Sequence, residues 1–124
     1  MNSSQQYKEV LEKIQNNTKV YAAVLFGSRA KGTSKSNSDY DIAVFTTENE
    51  RRVIKDLLHL KTETLDIVPY CRMPFTAQTE VFKYGKPLFI KDQRRYSKEL
   101  YYNIRTYQDN LHHYNILKKF RCIK

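Results

Sequence analysis

Apolar residues change period several times along the chain. Tyr7, Val10, Leu11 and Ile14 recur at helical spacing, so a helix is predicted over residues 5–15, with Ser3 or Ser4 as its cap. A dense run follows at residues 19–26, KVYAAVLF, rich enough in β-formers for a buried strand, and Gly27 ends it. Residues 28–38 are small and polar, which predicts a loop or a single helical turn. Residues 40–45 read as a second strand and residues 48–60 as a helix, with Val53, Ile54, Leu57 and Leu58 on its apolar face. Residues 65–70 read as a third strand, with Pro69 suited to its end or to an edge. Pro74 can open a helix to about residue 84, which Gly85 can close, and residues 88–90 form a short fourth strand. A long helix is expected over about 92–118. Its stripe Leu100, Ile104, Tyr107, Leu111, Tyr114 follows one helix face, and packing of Leu100, Ile104, Tyr107 and Leu111 on the chain's own sheet is expected.

This order predicts an α/β (α+β) fold in one domain: a small mixed sheet flanked by helices, a core over about 18–90 and a basic C-terminal helix. The short link between the first two strands suggests an antiparallel pair. The helix between the second and third suits a right-handed parallel crossover.

The 124 residues carry 40% hydrophobic and 28% charged positions, a globular balance. No apolar run is long enough to span a membrane, and the polar N-terminus lacks the apolar core of a secretory signal, so a cytoplasmic location is expected. The net charge of +9 is unevenly placed. Residues 1–82 hold 11 basic and 10 acidic side chains, whereas residues 83–124 hold 11 basic and 3 acidic. The C-terminal third can therefore attract RNA, a nucleoside triphosphate or an acidic protein, or serve simply as a solvated helix. Cys71 and Cys122 have no metal or disulfide spacing, and His59, His112 and His113 form no ligand pattern.

Three features converge on chemistry. Asp39 and Asp41 stand at i and i+2 of the second strand and face the same way, where their mutual repulsion calls for a cation or a raised pKa. Asp66 lies inside the apolar third strand, where burying an unpaired carboxylate would cost several kcal/mol. If strands two and three are parallel neighbours, the three carboxylates make a hard oxygen site suited to Mg²⁺, and two such ions can clamp a phosphoryl or nucleotidyl displacement. Gly27 lets backbone approach a phosphate, the Ser28 hydroxyl can donate to it, and Arg29 and Lys31 add positive charge or are plain turn charges. The run from Gly27 to Ser34 is not a P-loop, because Thr33 rather than Lys follows Gly32.

Gly27-Ser28, ten residues, then Asp39-x-Asp41 resembles the signature of the DNA polymerase β-like nucleotidyltransferase superfamily. The strings LFGSRAKG at 25–32 and SDYDI at 38–42 resemble its minimal nucleotidyltransferase branch, with Lys31 where Arg is common. The resemblance implies that Gly27 and Ser28 hold the triphosphate of ATP. It also implies that Asp39 and Asp41 bind two Mg²⁺ ions, and that Asp66 completes the metal site and helps deprotonate the attacking hydroxyl. Members of that branch are often paired with a HEPN-domain toxin, and some are antitoxins that transfer AMP to a toxin tyrosine. That activity is the leading expectation. Transfer to RNA or a small molecule, and stoichiometric inhibition without catalysis, are the alternatives. Tyr101, Tyr102 and Arg105 are candidates for a partner-facing surface, and Leu117 and Phe120 leave a homodimer open.

Overall fold

The computed structural model describes residues 3–27, 30, 32, 40–48 and 50–122, with side chains of 3–4 and 112–122 outside the description. The elements are α1 (Ser3–Asn16), β1 (Val20–Phe26), β2 (Tyr40–Thr46), α2 (Arg51–Leu58), β3 (Leu65–Pro69), a 3₁₀ turn (Tyr70–Arg72), α3 (Phe75–Tyr84), β4 (Lys86–Ile90) and α4 (Gln93–Cys122). The four strands form one mixed sheet in the order β3-β2-β1-β4. β1 pairs antiparallel with both β2 and β4, and β2 pairs parallel with β3. The chain is thus an α/β protein with a long C-terminal helix. Pro69 ends an edge strand, where its missing N–H costs no ladder bond.

The sheet is covered on both faces, so its two central strands are apolar almost throughout. On one face, Ala23, Ile42, Val44, Leu65 and Ile67 pack with Val10 and Ile14 of α1 and Leu57 of α2. On the other, Val24, Ala43 and Phe45 pack with Val81 of α3 and Tyr96 of α4. A bulge between Val20 and Ala22 breaks the alternation of β1 and puts Tyr21 and Ala22 into the same cluster. Phe45 is the hub: its ring stacks on Tyr70 at 4.4 Å and meets the edge of Tyr96 at 5.2 Å.

The structure departs from the sequence pattern in four places. The helix expected over 48–60 is regular only from Arg51 to Leu58, and Leu58 is exposed at its margin. β4 begins at Lys86, earlier than expected, because Lys86 and Pro87 already pair with Leu25 and Val24. Gly85 does close α3, but with an ordinary φ of −67°. Its need for glycine is spatial, since a Cβ there would run into the Val81 carbonyl and the Val24 side chain. Finally, Ile104, Tyr107 and Leu111 of the α4 stripe do not lie on the sheet. Ile104, Tyr107 and Leu111 are each about half exposed, and with Leu100 they flank a surface groove against Phe82 and Lys83 of α3. Among the described side chains of α4 the buried ones are Tyr96 and Asn103, whose amide donates to the Thr79 hydroxyl at 3.3 Å.

Candidate active site at the acidic end of the sheet

The end of β1 and the starts of β2 and β3 meet at one edge of the sheet. Phe26 is the register partner of Asp41, and Asp41 is the register partner of Asp66. Neighbouring strands lie about 4.8 Å apart, and paired residues share a face, so the two carboxylates rise side by side. That face also carries Ala43, Phe45 and Val68. The sequence reading that places Asp66 beside Asp41 across a parallel pair is therefore realised.

Gly27 follows directly. Its φ of +78° lies in the left-handed region, which ends β1 sharply. A Cβ at this position would stand 2.5 Å from Asp41 Oδ2, so only glycine lets this carboxylate rest against the backbone. A left-handed glycine turn and a carboxylate therefore meet at one strand end. Ser28, Arg29, Lys31 and Asp39, all expected in this site, lie outside the described residues.

Asp66 differs from its expectation. It is half-exposed rather than buried, because β3 is an edge strand and the residue sits near its open start. Its two oxygens are not equivalent. Oδ1 is sealed from solvent and accepts no aligned hydrogen bond, yet the Lys61 ammonium lies 2.9 Å from it. This contact raises the pKa of Lys61 and keeps it charged. Sequence reasoning missed Lys61. It belongs to the turn before β3, where Lys61 N–H donates to Leu58 O, and Thr62 and Leu65 exchange backbone hydrogen bonds. Another bond, from Tyr40 N–H to Thr64 O at 2.8 Å, ties this turn to the start of β2.

The donor set suits a hard divalent cation. It consists of carboxylate oxygens on adjacent strands, and one of them is an orphaned, solvent-sealed atom held by a cation alone. Among the described residues no group of three metal-ligating side chains forms, so Asp41 and Asp66 are the members of the expected trio that the structure brings together. His59 caps the end of α2, and Cys71 is an exposed free thiol.

The polymerase beta nucleotidyltransferase family model matches residues 8–94, which includes every element from α1 to β4 except part of α1. The chain belongs to this family of nucleotidyltransferases. No curated protein sequence matches it. Among solved structures, it is similar to a chain of a toxin–antitoxin complex with AMP-PNP, at 22% identity and a TM-score of 0.67, over 95% of this chain and 97% of that one. It is also similar to a chain of the MntA–HepT toxin–antitoxin complex, at 20% identity and a TM-score of 0.63, over 95% and 97% of the two chains. A third similarity is to a chain of a tri-AMPylated Shewanella oneidensis HEPN toxin in complex with MNT antitoxin, again at 20% identity and a TM-score of 0.63, over 96% and 97%. These likenesses extend the shared fold through α4, beyond the matched family segment.

Proposed function

We propose that this chain transfers AMP from ATP to a tyrosine hydroxyl of a HEPN-type ribonuclease toxin and thereby acts as its antitoxin. The observation that carries this reading is the register pairing of Asp41 with Asp66, with the Gly27 backbone closed against Asp41, in a member of a nucleotidyltransferase family. Similar folds occur in complexes with AMP-PNP and with an AMPylated HEPN toxin, which supports both the nucleotide and the acceptor.

In this reading Gly27 and Ser28 receive the triphosphate, with Arg29 and Lys31 adding charge around it. Asp39 and Asp41 hold two Mg²⁺ ions, and Asp66 completes the set. Bound metal supplies positive charge to the triphosphate and lowers the cost of charge building up on the leaving group. The acceptor hydroxyl oxygen bonds to the α-phosphorus, the bond from that phosphorus to the bridging oxygen breaks, and pyrophosphate leaves. Asp66, one oxygen of which lies against Lys61 while its side chain is partly exposed, accepts the hydroxyl proton in this reading. The exposed rings of Tyr101 and Tyr102 on α4 give a partner a surface to meet.

The test is the Asp39→Ala, Asp41→Ala double variant, mixed with the HEPN partner, ATP and Mg²⁺. Mass spectrometry of the partner should show added AMP with the wild type and none with the variant. Equal labelling by both proteins would remove these carboxylates from the mechanism. Neutralisation of the toxin without ATP would favour stoichiometric inhibition instead.

A further inference from the structure

The Lys61–Asp66 contact has the features of a placeholder rather than of a structural brace. Both side chains are partly exposed, at 52% and 38%, so the pair contributes little to holding the fold. Yet its placement is not casual. Lys61 N–H is bonded to Leu58 O, and the turn that follows is closed on itself and bonded to Tyr40. The backbone under the lysine is thereby fixed, while its ammonium faces the one Asp66 oxygen that solvent cannot reach. The oxygen that the ammonium covers stands one strand away from a second carboxylate, whose repulsion a positive charge offsets.

We propose that Lys61 is a built-in counter-cation for Asp66, holding its carboxylate beside Asp41 before metal is bound and yielding when a divalent ion is taken up. Its charge then sets how tightly the site binds metal. Lys61 is a positioning residue: it acts through Asp66 and forms no part of the reacting groups. The inference rests on the reading of Asp41 and Asp66 as metal ligands, and the experiment separates the two.

Mn²⁺ binding to the full chain, without nucleotide, can be followed by the loss of the free-ion electron paramagnetic resonance signal at low ionic strength. Removing a positive charge next to a divalent-ion site should tighten binding, so Lys61→Met should bind Mn²⁺ about three- to tenfold more tightly than wild type. Lys61→Arg, which keeps the charge, should stay within about twofold of wild type. The gap between Lys61→Met and wild type should narrow as salt is added. Asp66→Asn should weaken binding in both backgrounds. If Lys61→Met binds no more tightly than wild type while Asp66→Asn binds less, the placeholder role is overturned and the metal reading stands. If Asp66→Asn binds as wild type does, the metal reading fails and takes this inference with it.

Discussion

The two ends of the sheet are built on opposite principles. At the end where β1 starts and β2 finishes, polar groups are spoken for and rings fill the space. Arg95 donates to Thr47 O at 2.8 Å while lying over the Tyr21 ring at 5.2 Å. Lys91 donates to Asn17 O at 3.0 Å, and Lys19 pairs with Glu48 at 2.9 Å. Beneath them Phe45, Tyr70, Phe82 and Tyr96 form one aromatic cluster. At the other end two carboxylates stand next to each other, a glycine turns in the left-handed region, and Lys61 offsets part of the negative charge. The difference is between an end closed by packed rings and paired polar groups and an end where two carboxylates are left side by side.

The comparison can be broken most forcefully from its stable end. Phe45→Ala removes the hub ring and should cost about 3–5 kcal/mol of folding stability, measured by urea unfolding. Below the transition, the folded fraction should keep its Mn²⁺ affinity, since Asp41 and Asp66 are not touched. A loss below about 1 kcal/mol would mean that the cluster relaxes around the gap and is not the anchor. At the acidic end Gly27→Val should cost about 1–3 kcal/mol, through the left-handed backbone and the displaced Asp41 carboxylate. It should also reduce AMP transfer at least about tenfold. A variant with full activity would show that the close approach of Gly27 to Asp41 is not used.

The smallest effect is in alkaline solution. Burial, reinforced by the negative charge of Glu99 and opposed by Arg95, raises the Tyr21 pKa from 10.0 to about 12. Burial raises that of Tyr70 further. The Tyr21 phenol is held neutral in the folded state, so its contribution is fully present below pH 10 and is lost as pH rises through the interval from 10 to about 12. The thermal midpoint should fall across that interval in wild type and fall less in Tyr21→Phe. Identical slopes would leave Tyr21 without a part in the alkaline loss.

The acidic end was largely readable from the sequence because a charged residue inside an apolar run is conspicuous. Asp41 opens IAVF and Asp66 interrupts LDIV, and a helix between the two strands makes them parallel neighbours. Gly27 was readable for the same reason, as a break directly after VYAAVLF. Lys61 was not. A lysine in a polar turn carries no periodic signal, and its role depends on which oxygen of Asp66 the fold seals. The stripe of α4 shares one face, as its spacing predicts, but Ile104, Tyr107 and Leu111 are not buried there. Periodicity shows which residues share a side of a helix but not whether that side meets the sheet, and the ground beneath is taken by Phe82, Val81 and Tyr96. The stacking of Tyr70 on Phe45 joins residues far apart in the chain, which no local pattern encodes.

The sheet order has a consequence for how the molecule is made. β1 lies second from one edge, and the strand that covers its outer side is the last of the four to be synthesised. Until residue 90 leaves the ribosome, one flank of the most apolar strand offers bare amides and carbonyls to any extended peptide nearby. A chain stalled before that point leaves this flank of β1 unpaired, and only the arrival of Lys86–Ile90 covers it.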